Sequence, residues 1–272
     1  MHFILNNELH LFVFEGSSSE PKYIEMLERN FLGKKITVKC VYDAEIYQLY
    51  RQMIADSFSL DIVNVLKERS EANSKILEGY NRDSFAYVYL FFDYDAHSSM
   101  ADDSKIEEML NYFDNETENG LLYLSYPMVE AIRHFKDMDS FKHLVVKCKR
   151  GNSIESTKCP YKNDCEDLDA CLHEPHYKTF VPTDSRPQLS NINSYDFNVW
   201  KELIQAHVFK MNYIVNDEFS MPLHIVSQSD IFFKQLEKHI NRMCPKVAVL
   251  SAFPMYVLDY YGIEGLRRKL GV

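Results

Sequence analysis

Hydrophobic positions in the first half of the chain follow two alternating patterns. Short runs of apolar residues, typical of buried strands, are separated by segments in which apolar residues recur at helical spacing. The predicted strands are residues 8–14, 36–42, 85–92 and 121–124. The predicted helices follow Ser19, cover 44–78 with a break near 57–59, cover 102–118, and begin again after Pro127. This alternation predicts an α/β fold with a parallel sheet and right-handed crossovers.

The run at residues 87–92 is too continuously apolar to be half exposed. A parallel strand that is covered by helices on both faces has this composition. We therefore predict that it is a central strand, and that residues just beyond it lie at the carboxyl edge of the sheet.

The second half of the chain has a weaker pattern. Residues 151–196 are rich in Cys, His, Asp, Asn, Pro and Ser, which predicts a long loop or an insertion. Beyond this segment we predict helices at 197–213 and 228–242, a short strand at 247–250, and helical turns up to the end of the sequence.

The chain has 272 residues, of which 46% are hydrophobic, and a net charge of −10. No apolar run approaches the ~20 residues that span a bilayer, and the N terminus lacks the basic start and apolar stretch of a signal peptide. We therefore expect a cytoplasmic protein whose six cysteines are thiols or metal ligands rather than disulfides. Proteins that hold nucleic acid by overall charge are usually basic, so nucleic-acid binding here requires a local basic patch, a bridging metal or a partner.

Acidic residues directly follow two of the predicted strands. Glu15 comes after the first strand, and Asp93 and Asp95 come after the third. Functional residues of open α/β sheets lie at the carboxyl ends of the strands, so we expect these carboxylates to converge. Asp93 and Asp95 are two residues apart on an extended stretch, so their side chains leave on the same side and repel unless a cation intervenes. Hard oxygen ligands of this kind suit Mg²⁺ or Mn²⁺.

Two further glutamates are candidates to complete the metal shell. Glu20 lies five residues after Glu15, across Gly16, and Glu130 follows the fourth predicted strand. Each is equally compatible with a glutamate in the first turn of a helix, where the helix dipole favours negative charge. The same alternative applies to Glu15 taken alone, and a solvated acidic loop is the alternative for the aspartate pair.

Cysteines and histidines cluster between residues 148 and 180. Thiolate and imidazole groups are the ligands of structural zinc, and the cluster comprises Cys159, Cys165, Cys171, His173 and His176. A long polar loop with little core would gain stability from such an ion. The spacing of five residues between two of the cysteines departs from the usual Cys-x2–4-Cys pattern, so ordinary thiols in a loop are the alternative. Any zinc here is expected to be structural, because the acidic residues already provide a catalytic site.

A glutamate after the first strand and an Asp-x-Asp motif after the third resemble the Toprim domain, a family that includes topoisomerases, primases, small ribonucleases and OLD-type nucleases. Glu15 matches the family's general acid/base glutamate, and Asp93 and Asp95 match its metal-binding aspartates. The Glu-Gly start with Glu20, and the segment that ends at Glu130, look like motifs of Toprim proteins from anti-phage systems. The resemblance covers roughly the first half of the chain, and a long helical insert between strands two and three departs from the standard pattern.

In size and layout the chain is similar to the Toprim effector subunits of the PARIS anti-phage system. The resemblance implies a Toprim-like catalytic domain at 1–138 with a helical insert at about 43–84, and a mostly helical, loop-rich region at 139–272 with a Cys/His-rich insertion at 148–180. It also implies an Mg²⁺- or Mn²⁺-dependent endonuclease that cleaves RNA such as tRNA as a toxic effector. An ABC-type ATPase is the implied restraining partner, and a homodimer is the implied active state.

Two other classes of function are compatible with the same residues. A phosphotransferase or nucleotide hydrolase could use the same carboxylates, although the sequence has no Gly-x4-Gly-Lys-[Ser/Thr] loop and so does not indicate a P-loop ATPase. A non-catalytic subunit that docks a basic partner through its acidic face and aromatic surface is the other alternative.

Overall fold

The computed structural model describes residues 8–32, 36–148, 177–242 and 245–272. Its centre is a five-stranded sheet in the order β2-β1-β3-β5-β4. The strands are β1 (Leu9–Phe14), β2 (Ile36–Val41), β3 (Tyr87–Asp93), β4 (Asp114–Asn115) and β5 (Gly120–Ser125). Four of them run parallel, and only the short β4 pairs antiparallel with its neighbour β5. The predicted α/β fold with a mostly parallel sheet is confirmed, and the arrangement is consistent with a Toprim-like fold.

Helices flank this sheet along the described part of the chain. They are α1 (Glu20–Leu27), α2 (Ile46–Ala55), α3 (Ile62–Arg69), α4 (Glu71–Ile76), α5 (Asp103–Tyr112), α6 (Met138–His143), α7 (Tyr177–Phe180), α8 (Phe197–Asn216), α9 (Gln228–Gln235) and α10 (Ala252–Leu270). Turns of π-helix at Glu28–Leu32 and Leu236–Ile240 extend α1 and α9. A second, two-stranded antiparallel sheet joins β6 (Val145–Lys147) to β7 (Lys246–Ala248).

The two faces of the sheet differ in chemistry. On one face, aromatic side chains of β1 and β3 pack against α10, with ring centroids of Phe91 and Phe253 5.1 Å apart and those of Phe12 and Tyr256 5.4 Å apart. The opposite face is mostly aliphatic, with Leu90 fully buried, although Phe92 on this face packs against Tyr42. β3 is therefore covered on both sides, as its continuous apolar run predicts.

Three predicted helices differ from those observed. The segment 44–78 contains three helices rather than two, because the side chain of Ser70 accepts the Asn73 N–H and starts a new helix at α4. The predicted helix at 102–118 ends at Tyr112. The chain then returns to the sheet as β4 and turns into β5 at Gly120, which has a positive φ and where a Cβ would lie 2.6 Å from Leu90 Cδ1. The helix predicted after Pro127 is a 3₁₀ helix, Val129–Arg133.

The predicted helices and strand of the second half occur close to their expected positions, as α8, α9 with its π extension, β7 and α10. The segment between α7 and α8 contains two short 3₁₀ helices, Pro187–Ser190 and Ile192–Ser194. The boundary between a domain at 1–138 and a region at 139–272 stays a prediction. Helix α10, which belongs to the second part, packs on the sheet of the first. None of the helices in the described part of the chain combines the length and the apolar character that crossing a bilayer requires.

Candidate metal centre

Pairing between neighbouring parallel strands fixes the position of Glu15. The ladder of hydrogen bonds continues one residue beyond β1, because the Glu15 N–H donates to the Phe91 carbonyl at 3.0 Å and the Asp43 N–H donates to the Glu15 carbonyl at 2.8 Å. Glu15 is therefore held at the carboxyl edge of the sheet, between β2 and β3. This position places its side chain next to the last residue of β3, Asp93.

The carboxylates of Glu15, Asp93 and Asp95 meet at this edge. Each offers an oxygen atom, and these atoms lie within 4.8 Å of one another. The Asp93 N–H donates to Glu15 Oε2 at 2.9 Å, and Asp93 and Asp95 are each only 6% exposed. Among the described residues, this is the one cluster of His, Cys, Asp or Glu side chains with the spacing of a metal site. The predicted convergence of the three acids is confirmed.

Asp95 reaches the cluster through a turn rather than through strand alternation. β3 ends at Asp93, and Asp95 has a left-handed backbone with φ 49°. Between them, the Tyr94 N–H donates to the Ser125 carbonyl at 3.0 Å and keeps the chain on β5. The prediction that the Asp93 and Asp95 carboxylates lie close together is confirmed. The turn at Asp95 brings them together, and not the alternation of side chains along an extended stretch. The His97 Nδ1 lies 3.5 Å from Asp95 Oδ1.

Burial raises the pKa values of all three acids, and mutual repulsion adds to this effect for Glu15 and Asp93. Burial and then the charge of Asp95 raise the pKa of Glu15 to about 9. Burial and then the charge of Glu15 raise the pKa of Asp93 well above its usual range. Burial also raises the pKa of Asp95 to about 6, against the opposing effects of His97, Lys178 and a hydrogen bond with the Glu15 carboxyl. Without a cation, the cluster therefore retains protons at neutral pH.

Glu20 and Glu130 border the same space. Both are 7% exposed and both line a cleft of about 390 Å³ that also contains Glu15 and Asp93. The Gly16 N–H donates to Glu20 Oε1 at 3.1 Å, and burial, with a smaller contribution from Glu130, raises the pKa of Glu20. Glu130 Oε2 is buried without a hydrogen-bond partner among the described residues. Direct ligation of a metal by either glutamate stays a prediction.

Three charged residues of this cleft are absent from the sequence-based prediction: Asp43, Glu45 and Lys178. We call the space lined by these residues and by Glu15, Glu20, Asp93 and Glu130 the acidic cleft. Lys178 is the one cation among the described residues that line it. It lies far along the chain from the acids, near the end of the Cys/His-rich insertion predicted at 148–180, so no local pattern could have assigned it to this site.

The donor set fits a hard divalent cation. Carboxylate oxygens are the ligands of Mg²⁺ and Mn²⁺, and a cation would neutralise the repulsion that otherwise raises these pKa values. The unpartnered Oε2 of Glu130 is a further buried oxygen that a hydrated cation could satisfy. The candidate zinc ligands Cys159, Cys165, Cys171, His173 and His176 lie outside the described residues, so the zinc site stays a prediction.

Comparisons of the chain with known protein families, with curated proteins and with solved structures find no match. The likeness to Toprim proteins therefore depends on the motifs at Glu15, Asp93 and Asp95 and on the consistent fold.

Proposed function

We propose that the chain is a metal-dependent nuclease, in which Mg²⁺ or Mn²⁺ held by Glu15, Asp93 and Asp95 promotes cleavage of phosphodiester bonds. The observation that supports this proposal most strongly is the meeting of the three carboxylates within 4.8 Å at the carboxyl edge of the central strands. Buried acids that repel one another are unfavourable unless a cation joins them, so a structural role without a ligand explains them poorly.

The side chains around the cluster have distinct tasks in this proposal. A bound divalent cation would stabilise charge on the phosphate oxygens and make a coordinated water more acidic. Glu15, whose carboxylate accepts the Asp93 N–H, would act as the general acid/base, the role that its match to the Toprim motif implies. Lys178 lines the acidic cleft and its side chain is exposed. It is therefore placed to contact a phosphate of the substrate.

The resemblance in motifs at Glu15, Glu20 and Glu130 supports the finer part of the proposal. We propose RNA such as tRNA as the substrate and a toxic effector role in anti-phage defence. We propose an ABC-type ATPase as the partner that restrains the nuclease, and a homodimer as the active state. The acidic cleft supports none of these points by itself, because any phosphodiester could reach a metal at its mouth.

Cleavage of tRNA and of plasmid DNA tests the proposal, with the purified protein incubated with Mg²⁺, with Mn²⁺ or with EDTA. The compared proteins are the wild type, Glu15→Gln, Asp93→Asn and the control Asp83→Asn, whose side chain is exposed. We expect cleavage only with metal, a loss of about a hundredfold or more in both site variants, and unchanged cleavage in the control. Equal cleavage by all four proteins would remove support for this site. Hydrolysis of nucleotides without cleavage of nucleic acid would favour the phosphotransferase or nucleotide hydrolase alternative.

A further inference from the structure

His134 is a fully buried histidine that connects two segments bordering the acidic cleft. Its Nδ1 lies 2.9 Å from the Tyr177 hydroxyl, and its Nε2 lies 3.0 Å from Asp184 Oδ2. Burial lowers the pKa of His134, so the ring is neutral at pH 7. In that state Nε2–H donates to the Asp184 carboxylate and Nδ1 accepts the Tyr177 O–H.

Further contacts join the same two segments. Lys136 forms an ion pair with Asp184. The Arg186 N–H donates to the Phe135 carbonyl at 3.1 Å, and the Arg186 guanidinium lies 4.6 Å from the centre of the Phe135 ring. Residues 134–136 and 177–186 are therefore bound to each other by side chains and backbone, with His134 fully buried between them.

Each segment carries one wall of the acidic cleft. Glu130 lies four residues before His134, and Lys178 directly follows Tyr177. Burial raises the pKa of the Tyr177 hydroxyl, and the negative charges of Glu130 and Asp93 add to this effect. Lys178 is part of α7 and lines the acidic cleft. Its position at the cleft therefore depends on the backbone of α7, which Tyr177 fixes.

We propose that His134, together with Tyr177 and Asp184, is a positioning residue that holds the Lys178 ammonium at the acidic cleft. The inference rests on the proposed nuclease function, to which it adds the residues that place the substrate-contacting cation. Tyr177 and Asp184 approach His134 from opposite ring nitrogens, so an imidazole in one orientation fixes both ends of the segment 177–184. A purely structural histidine would support the fold without acting through Lys178.

A double-mutant cycle separates these two roles. We would measure kcat and KM for RNA cleavage by the wild type, His134→Gln, Lys178→Ala and the double variant. Lys178→Ala should lower kcat/KM about tenfold to a hundredfold, the range expected from losing a charged hydrogen bond to a phosphate. His134→Gln should lower it in the same direction, and the double variant should be no worse than Lys178→Ala. Independent, multiplying losses would overturn the inference.

His207 provides a matched control. It is also fully buried and also has one ring nitrogen engaged, since Nδ1 accepts the Ser251 N–H at 3.1 Å. His207→Gln should lower stability, and its effect on cleavage, if any, should multiply with that of Lys178→Ala. Tyr177→Phe removes a single hydroxyl and serves in place of His134→Gln if the latter does not fold. Lys178→Arg, which keeps the charge, should restore part of the activity.

A second readout does not require cleavage. The Lys178 ammonium repels a divalent cation at the cluster, so Lys178→Ala should tighten Mn²⁺ binding, measured by calorimetry, on the order of threefold. His134→Gln should tighten it similarly, with no further gain in the double variant. If the variants show this pattern of Mn²⁺ affinities but the wild type cleaves no nucleic acid, the nuclease function is refuted and the positioning role is retained. Unchanged Mn²⁺ affinity in His134→Gln, alongside a tightened Lys178→Ala, would refute the positioning role alone.

Discussion

Replacement of Glu15 by glutamine should stabilise the metal-free protein at neutral pH. Burial and the charge of Asp95 raise the pKa of Glu15 from 4.5 to about 9, so the folded protein holds a proton that the unfolded chain releases above pH 4.5. A group that binds more protons in the folded state makes the free energy of unfolding fall as the pH rises, here between pH 4.5 and about 9. Glutamine has nearly the same shape and no such titration, and its carbonyl can still accept the Asp93 N–H.

The size of the gain follows from the interval in pH. At pH 7 the distance above the unfolded pKa of 4.5 is about 2.5 units, and each unit corresponds to ~1.36 kcal/mol. The free energy of unfolding of Glu15→Gln should therefore exceed that of the wild type by at most about 3.4 kcal/mol, or roughly 6–10 °C in Tm for a protein of this size. At pH 4 and below the gain should vanish, because Glu15 is then protonated in both states.

Urea unfolding in EDTA at pH 4 and pH 7 measures the effect. Glu107→Gln on the exposed side of α5 is the control, and it should change stability by less than about 0.5 kcal/mol at either pH. The reasoning fails if Glu15→Gln is no more stable than the wild type at pH 7. It also fails if the difference is the same at pH 4, because the gain would then not come from titration of the carboxylate.

Three further predictions concern the metal and the core. Mn²⁺ at about a hundred times its Kd should stabilise the wild type by about 2.7 kcal/mol in calorimetric scans, whereas Asp93→Asn should not respond and the exposed control Asp83→Asn should respond fully. Phe91→Ala should lower the free energy of unfolding in urea by about 3–5 kcal/mol, because Phe91 is buried among aromatic rings. The control Phe233→Ala changes a side chain that is 59% exposed and should alter this free energy by less than about 0.5 kcal/mol. Similar losses in both variants would place the core elsewhere. Metal analysis of purified protein should find about one equivalent of zinc if the Cys/His-rich segment holds a structural ion, and less than about a tenth of an equivalent rules that ion out.

The parts of the fold that could be predicted depend on local pattern. The continuous apolar run at 87–92 identified β3 as a central strand, because only a strand covered on both faces tolerates it. Once β1 and β3 were predicted to be parallel strands, their carboxyl ends had to lie at one edge of a sheet. Glu15 and Asp93 were therefore brought together by topology alone, without knowledge of any contact.

The parts that could not be predicted depend on tertiary contacts. The backbone of Asp95 turns into the left-handed region, and no pattern in Tyr94 or Ala96 indicates that turn. The helix predicted at 102–118 stops at Tyr112 because the residues beyond it pair with β5, a choice that helix propensity does not register. Lys178 enters the acidic cleft through the contacts of His134 with Tyr177, which lie 43 residues apart in the chain.

The charge of the acidic cleft explains how an acidic protein could act on the polyanionic substrate that we propose. Carboxylates dominate the lining and Lys178 is the one described cation there, so the cleft without metal repels phosphates. A divalent cation at the cluster would reverse this repulsion of phosphates, because its two positive charges would lie where the field of the carboxylates is strongest. The remainder of the overall charge of −10 acts from farther away and is screened beyond about 8–10 Å. In the proposed nuclease, metal would therefore bind before nucleic acid. The position of Lys178 then matters because, among the described residues that line the cleft, it is the one cation that is present whether or not metal is bound.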